Sequence, residues 1–224
     1  MGFTNKDIFL KCRVMDPGVV TVVKYREQAY FFLDQCHVAA RHLGLKASRA
    51  QGFDMITFDA RLIPEYAKTL TLVGLTLACF ERVVNPRGHD WYERRHCYDF
   101  SALEEAHRIA FDDALAELRA GQPDTGWSRW MFPCLRDCAM SAARAKYALA
   151  SEREAADLLL YHPFLGKNIK NAVRALTGKG APPASTIFPA GSLSWVHASI
   201  ELFAKVAPPE TRCFATALCC TKAK

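Results

Sequence analysis

Residues 101–123 read SALEEAHRIAFDDALAELRAGQP, and this stretch decides the fold class of the second half of the chain. Ser101 with Glu104 three residues later is typical of a capping box, in which each side chain bonds an unpaired backbone N–H of the first turn. Apolar residues then recur at helical spacing until Gly121, which Pro123 soon follows. The stretch therefore predicts one long amphipathic helix that ends at the glycine.

A second capping box, Ser151 with Glu154, predicts another helix, which must end before Pro163. Pro163 itself suits the first turn of the following helix, where a missing N–H costs nothing. Signals of this kind agree with one another from residue 98 to about residue 208. They predict a helical domain over residues 98–224.

The first 97 residues show a different pattern, with short β-rich runs between turn residues. Two of these runs, at 8–14 and 19–25, flank Asp16-Pro17-Gly18 and predict a hairpin. The other predicted elements are a helix over 27–43 that ends at Gly44, strands over 53–58 and 69–77, and a polar junction loop over 85–95. We therefore expect an α+β fold, predominantly helical, in which a mixed α/β portion at 1–97 packs on the helical domain at 98–224.

Composition favours a folded protein outside the membrane. Half of the 224 residues are apolar and 23% are charged, which excludes the composition of a disordered chain. No apolar run reaches the roughly 18 residues that span a bilayer, and the first residues lack the pattern of a cleaved secretory signal. We expect a soluble protein that is cytoplasmic, or secreted into a host cytosol without a cleaved signal, and that has no membrane partner.

The nine cysteines favour a reducing compartment. Their number is odd, and Cys79, Cys97 and Cys134 lie in apolar sequence, which is typical of buried thiols and not of a disulfide framework. Cys134 and Cys138 are four residues apart and do not form the C-x-x-C pair that zinc sites use. No metal site is predicted.

The charge balance is mildly basic, with 29 lysines and arginines against 23 aspartates and glutamates. Local basic clusters at 87–95 and 167–174 are most simply interpreted as solvated surface. The chain carries no helix-turn-helix, zinc-finger or aromatic RNA-binding signature, so no nucleic-acid partner is predicted. An acidic small molecule or a protein partner is compatible with this charge.

Short motifs between residues 98 and 203 carry a resemblance to a known family. In chain order they are Tyr98-Asp99-Phe100, the run ALAELRAG from Ala114 to Gly121, Trp127, Phe132-Pro133, Ser141, Tyr147-Ala148, His162-Pro163, Leu165-Gly166, Ile187-Phe188 and Leu202-Phe203. Together they resemble a small bacterial helical family that is known only as a domain of unknown function and is often mislabelled calpastatin. The resemblance implies an all-helical domain over somewhat more than half of the chain, and it brings no activity with it.

Four residues depart from the pattern of that family. His107 and Cys134 stand where the family favours glutamine, and Leu193 and Trp195 stand where it favours aspartate and lysine. If those polar groups form the site of the family, this protein has rebuilt or lost it.

A looser resemblance is one of architecture and composition, without aligned catalytic residues. A basic, cysteine-containing chain of this size with a private N-terminal portion is similar to type III effectors that ADP-ribosylate host ubiquitin on threonine. This resemblance implies a bacterial effector that is an NAD+-dependent mono-ADP-ribosyltransferase. Its co-substrate would be NAD+ and its partner a host protein substrate, with ubiquitin as the candidate.

Such chemistry breaks the nicotinamide–ribose bond through an oxocarbenium-like state, and therefore needs a carboxylate near the developing positive charge. The candidate catalytic carboxylates are Asp59 and Glu201. Asp59 and Arg61 are two residues apart, a spacing that places both on one face of a strand. Candidates for stacking the nicotinamide or contacting phosphate and ribose are Arg61, Trp127, Arg129, Trp130, Phe132, Ser141, Tyr147 and His162.

Each candidate also has a structural interpretation. Trp127, Phe132 and Tyr147 suit a hydrophobic core, and His162 suits a helix end where it bonds the backbone. The remaining structural interpretations are a surface ion pair for Asp59 and Arg61, a solvated helical position for Glu201, and a helix cap or small packing residue for Ser141. The rival function is a non-catalytic helical module that binds a protein, or a sensor that binds a nucleotide without turnover.

Overall fold

The structure is a computed structural model that describes residues 12, 18–50, 52–86, 90–139 and 141–221. It divides into two units, Met1–Asp99 and Phe100–Lys224. A six-stranded sheet occupies the first unit and the second is helical, so the predicted α+β class is confirmed. Among the described helices, none combines the length and the apolar character that a bilayer span requires.

The first unit is built on a mixed sheet with the strand order β3-β4-β2-β1-β5-β6. Strands β1 and β5 are parallel, with Val19 opposite Thr76, and the other neighbouring strands are antiparallel. The elements are β1 (Val19–Tyr25), β2 (Gln28–Phe32), α1 (Asp34–Leu43), β3 (Ser48–Ala50), β4 (Phe53–Asp59), α2 (Ile63–Leu72), β5 (Thr76–Val83) and β6 (Trp91–Arg95).

Two elements near the start of this unit correct the prediction. The hairpin partner of β1 is β2, which pairs with it antiparallel, whereas the predicted partner at 8–14 lies outside the described residues except for Cys12. The predicted helix over 27–43 is wrong at its start, because Gln28–Phe32 forms β2, which buries Ala29, Phe31 and Phe32. Its remainder is confirmed as α1, which ends at Gly44 in the left-handed conformation.

The predicted strand over 69–77 is also wrong, because α2 continues to Leu72 and β5 begins at Thr76. The threonines that suggested a strand bond the helix instead: the Thr69 hydroxyl donates to the Glu65 carbonyl at 3.1 Å, and the Thr71 hydroxyl makes the equivalent bond at 2.8 Å. Such bonds to the preceding turn make threonine acceptable inside a helix.

The strand predicted over 53–58 is confirmed as β4, but the junction loop predicted over 85–95 is wrong in its second half. Trp91–Arg95 forms β6, an edge strand that pairs with β5. Its charged side chains are the reason that the sequence predicted a loop here. One of them, Arg95, donates to the Glu81 carboxylate at 2.9 Å across the strand pair, which is how a polar edge strand is held.

The second unit is a helical domain with a core of phenylalanines, four of which are fully buried: Phe132, Phe188, Phe203 and Phe214. The helices are α3 (Ser101–Ala120), α4 (Ser128–Met131), α5 (Ala142–Ala145), α6 (Glu152–Tyr161), α7 (Leu165–Ala175), α8 (Ala184–Ile187), α9 (Ala190–Val206) and α10 (Cys213–Thr221).

The two predicted capping boxes have different outcomes. At the start of α6, Ser151 Oγ accepts from Glu154 N at 3.1 Å, as predicted, and the Glu154 carboxylate accepts at 2.6 Å from the backbone N of Ala150, one residue before the N-cap. At the start of α3 the prediction is wrong, because Phe100 is the N-cap and no side chain caps the helix. The Glu104 carboxylate bonds a histidine of this unit instead.

The ends of the helices follow the glycine and proline signals closely. Helix α3 ends at Gly121, in the left-handed conformation with φ of 70°, and α6 ends before Pro163. Helix α7 begins at Leu165, so Pro163 lies two residues ahead of the helix and the prediction that it occupies the first turn is wrong. All nine cysteines are free thiols, and the three predicted to be buried are buried.

Candidate functional site

Asp59 and Arg61 form an ion pair on the surface of the first unit. Asp59 is the last residue of β4, and Arg61 lies in the helical turn Ala60–Leu62, so the prediction of two residues on one strand face is wrong. The Asp59 carboxylate accepts from the backbone N of Arg61 at 2.9 Å and from its guanidinium Nη2 at 2.6 Å. These bonds lower the pKa of Asp59 to about 2. The carboxylate is therefore charged and already paired.

Glu201, the other candidate carboxylate, belongs to the second unit. It lies on α9 with its side chain exposed, and His197 one turn earlier approaches it with Nε2 at 3.6 Å from Oε1. This is the geometry of an i, i+4 pair on a helix surface.

Two of the predicted stacking residues belong to the core of the helical unit. Trp127 and Phe132 both pack edge-on against Phe188, with ring centroids 5.6 Å and 6.1 Å away. The indole N–H of Trp127 donates to the Glu117 carboxylate at 2.9 Å. Because both rings are buried among other side chains, their surfaces are engaged in core packing.

Trp130 is buried as well, whereas Ser141, Tyr147 and Arg129 lie at or near the surface. Ser141 caps α5, where its hydroxyl accepts from the Arg144 backbone N at 3.4 Å. Tyr147 is half-buried, with the Lys146 ammonium 5.3 Å from its ring centroid, and Arg129 is exposed.

His162 is buried and uses both ring nitrogens inside the protein. Its Nδ1 accepts from the backbone N of Leu165 at 3.2 Å, which caps the start of α7, and its Nε2 lies 2.8 Å from the Glu104 carboxylate. A ring nitrogen that accepts carries no proton, so Nε2 is the donor to Glu104. The imidazole thus holds α3 against the start of α7 and has no nitrogen left for a ligand.

His107, which the sequence singled out only as a departure from the family pattern, has an equivalent role further along α3. Its Nε2 donates to the Trp130 carbonyl at 3.1 Å, and its Nδ1 accepts from the Asn168 side chain at 3.3 Å. Burial lowers the pKa of His107 to about 4, so the ring is neutral. A glutamine amide also combines a donor group with an acceptor, which explains physically how histidine serves at this position.

An open cavity of about 370 Å³ lies where α3 and α7 end. We call it the basic pocket, which is lined by Arg119, Asn171, Arg174, Ala175 and residues 178–181, including Lys179. The cations come from the last turn of each helix and from the loop that follows α7. Residues 167–174 form the basic cluster predicted to be solvated, and only the fold brings Arg119 and Lys179 beside it.

The charges of the basic pocket are not neutralised within the described residues of the chain. Arg119, Arg174 and Lys179 form no ion pair there, and no carboxylate is among the lining side chains. The C-terminal ends of the two helices contribute about half a negative charge each. Three full positive charges exceed that sum by about two, so the pocket attracts anions.

Gly121 fixes one wall of this pocket. A Cβ at this position would lie 2.6 Å from Pro182 Cγ, which no real side chain tolerates. The loop that carries Lys179 therefore approaches the end of α3 only because residue 121 is a glycine, which also adopts the positive φ that the helix end requires.

Comparison with known proteins places the helical unit in a family. A family model described as "Protein of unknown function (DUF1810)" matches residues 97–220. The chain is similar to the conserved hypothetical protein Rv1873 from Mycobacterium tuberculosis, whose crystal structure was solved at 1.38 Å, with 25% identity and a TM-score of 0.49. That match covers 54% of this chain and 85% of the other. No curated protein matches the chain.

The predicted resemblance of the second half to a bacterial domain of unknown function is therefore confirmed, and these matches show no similarity to effectors. Since the family model covers more than half of the sequence, the chain belongs to the DUF1810 family.

Proposed function

We propose that the helical unit binds a small phosphate-bearing ligand in the basic pocket, with NAD+ as the first nucleotide to be tested. One observation carries this proposal: three cations line a single cavity, and none of them is paired with a carboxylate of the described residues. Natural surfaces mix charges of both signs, so a pocket of one sign favours a ligand of the other.

The side chains of the pocket suit a phosphate group in particular. Arg119 and Arg174 each present a planar guanidinium, which can bond two phosphate oxygens at once. Asn171 lines the same cavity, and its carbonyl oxygen accepts from Arg174 Nη1 at 3.4 Å, which leaves its amide N–H₂ as a further donor. The cavity volume is at the lower end of the range for small-molecule sites.

The lining residues include no aromatic side chain. A nucleobase usually gains much of its binding energy by stacking on an aromatic ring. The pocket therefore supports recognition of the phosphate groups, while the rest of the ligand extends toward solvent. We expect affinity to follow the phosphate charge of the ligand and to depend little on its base.

Isothermal titration tests this proposal with inorganic pyrophosphate, ADP, ADP-ribose and NAD+. We expect saturable binding that the double substitution Arg119→Gln and Arg174→Gln weakens by about a hundredfold, since each lost charge-assisted bond accounts for about tenfold. The matched control is Arg108→Gln, which removes an exposed arginine of the same helix that is paired with Glu105. Absence of binding by the native protein, or equal weakening by the control, would contradict the proposal.

Transfer of ADP-ribose from NAD+ to a host protein, with ubiquitin as the candidate, stays a prediction that extends this proposal. Both candidate carboxylates, Asp59 and Glu201, have basic neighbours on the surface. Mass spectrometry of ubiquitin and other proteins after incubation with NAD+ tests it. A gain of one ADP-ribose unit that Glu201→Gln or Asp59→Asn abolishes establishes the enzyme, whereas binding without any gain leaves a nucleotide sensor.

A non-catalytic module that binds a protein is the alternative. Three of the departures from the family pattern replace polar groups with residues suited to protein contacts. Cys134 and Trp195 are buried and Leu193 is half-buried, so they do not form an exposed binding face. The same titration separates the two functions, because a pure protein-binding module gives no heat with any of the phosphate ligands.

A further inference from the structure

Trp195, on α9, has a buried hydrogen-bond donor without an acceptor. The side chain is 2% exposed, and its indole Nε1 has no hydrogen-bond partner among the residues that the structure describes. By contrast, the indole N–H groups of Trp91 and Trp127 each donate to a glutamate at 2.9 Å. Because leaving a buried donor unpaired costs free energy, such a group in a native protein calls for an explanation.

The first turn of α9 also has backbone N–H groups without acceptors among the described residues. Pro189 is the N-cap, no side chain caps the helix, and the first turn has no acidic residue. The backbone N–H groups of Ser192 and Leu193 both donate to the Pro189 carbonyl at 2.8 Å. Those of Ala190 and Gly191 have no acceptor among the described residues. The helix is 17 residues long, so the partial positive charge at this end is fully developed.

A cation lies over the same turn. The Arg144 guanidinium stands 5.4 Å from the centroid of the Trp195 ring, and its Nη2 donates to the Ser192 hydroxyl at 3.3 Å. Arg144 is half-buried and forms no ion pair with a described residue. The space above the turn is open at Gly191, where a Cβ would meet no atom within 4 Å.

Helix geometry places the side chain of Trp195 on the face of α9 that carries this first turn. Trp195 follows Gly191 by four residues and Ser192 by three, so the three residues share one face of α9. Helical side chains lean toward the N-terminus and cover the preceding turn. The Trp195 ring, the Ser192 hydroxyl and the Arg144 guanidinium therefore lie together beside the first turn of α9.

We infer that the first turn of α9 is a binding site for a small oxyanion, such as phosphate, sulfate or a carboxylate group. The donors are the backbone N–H groups of Ala190 and Gly191, the Arg144 guanidinium and the Trp195 indole, with the Ser192 hydroxyl beside them. The site shares no residue with the basic pocket, so it stands or falls independently of the proposed function.

A titration of the full chain with inorganic phosphate, followed by ¹⁵N–¹H NMR, tests this inference. We expect the Trp195 indole resonance and the Gly191 amide resonance to shift together and to saturate. Trp195→Phe removes the indole resonance and thereby assigns it. Arg144→Gln should weaken the binding by at least about tenfold, because it removes the only side-chain charge of the site.

The matched controls separate this site from others. Trp127→Phe removes an indole that already has an acceptor, and it should leave the phosphate affinity unchanged. The double substitution in the basic pocket, Arg119→Gln with Arg174→Gln, should also leave the Trp195 shift unchanged. Should Trp195→Phe unfold the domain, Arg144→Gln carries the test, since Arg144 is only half-buried.

Three results would overturn the inference. They are no saturable shift of the Trp195 indole, an affinity unchanged by Arg144→Gln, and a shift abolished by the basic-pocket substitutions, which would assign phosphate to that pocket. The same titration with sulfate and with acetate then separates binding of an oxyanion in general from binding of phosphate alone.

Discussion

The helical unit holds its polar side chains in two contrasting ways. Between α3 and α7, His107 and His162 are buried, and each ring nitrogen has a partner within 3.3 Å inside the protein. At the other ends of the same two helices, Arg119 and Arg174 are exposed and unpaired with any described carboxylate. Satisfied polar groups stabilise a fold, whereas unpaired groups of one charge are available to a ligand. The histidines therefore stabilise the fold, and the arginines are available to bind a ligand.

The largest effect should come from removing the hydrogen bonds of a buried histidine. His107→Leu keeps an apolar body but leaves the Trp130 carbonyl and the Asn168 side chain without their partners, so the free energy of unfolding should fall by about 3 kcal/mol. His107→Gln offers one donor and one acceptor again, and it should cost about 1 kcal/mol or less. Urea denaturation of the two variants measures the difference.

Phosphate-ligand binding should be unchanged in both variants of His107, because neither touches the basic pocket. Equal losses of stability in the two variants would show that ring packing on Phe111 and Trp130, and not hydrogen bonding, holds the helices.

Acid should weaken the same buried region. Burial lowers the pKa of His107 from 6.5 to about 4. Between these two pH values the His107 imidazole is protonated in the unfolded chain but stays neutral in the folded protein. The contribution of His107 to stability is thus fully present above pH 6.5 and is lost as the pH falls toward 4, by about 3 kcal/mol at most. Thermal unfolding between pH 7 and pH 4 should show this loss, and His107→Gln should flatten the profile. A parallel decline in both proteins would assign the acid sensitivity to other groups.

Local signals in the sequence were sufficient to predict much of the fold. Ser151 caps α6 by accepting from Glu154 N, as predicted, and Gly121 ends α3 in the left-handed conformation. These predictions hold because the partners lie within one turn. The errors arise where the deciding partner is distant along the chain: Gln28–Phe32 became a strand because it lies between β1 and β4, and Glu104 bonds His162, 58 residues away.

The candidate site was less accessible to sequence reasoning. Arg119 and Lys179 are 60 residues apart, and only the packing of α3 beside α7 brings them to one cavity. Aromatic residues such as Trp127 and Phe132 drew attention because cofactors stack on aromatic rings, yet the same apolar character buried them in the core. A short signal was present, since Lys179 stands between two glycines after a basic helix, but it is common on solvated surfaces.

A smaller effect should follow from substituting Gly121, which forms one wall of the basic pocket at the end of α3. Gly121→Ala forces a side chain onto a residue with φ of 70° and brings its Cβ within 2.6 Å of Pro182, so we expect a loss of stability of about 1–2 kcal/mol and weaker ligand binding. Gly44→Ala is the matched control, because it has the same role at the end of α1, with φ of 68°, and nothing within 4 Å. The control should lose stability only. Titration with ADP distinguishes the two, and equal affinities would show that the Pro182 contact does not shape the pocket.

The smallest effect should come from the loop cation of the basic pocket. Lys179 is exposed and carries a point charge on a flexible stem, so Lys179→Gln should weaken phosphate-ligand binding by only about threefold, against the much larger loss on removal of both arginines. Because the interaction is long-range and exposed to solvent, the threefold difference should shrink as salt rises toward 1 M, where screening acts within about 3 Å. The stability of the protein should not change, since Lys179 forms no ion pair with a described residue. A loss as large as that of the double arginine variant would show that Lys179 bonds the ligand directly, and would move the centre of the site from the helix ends to the loop.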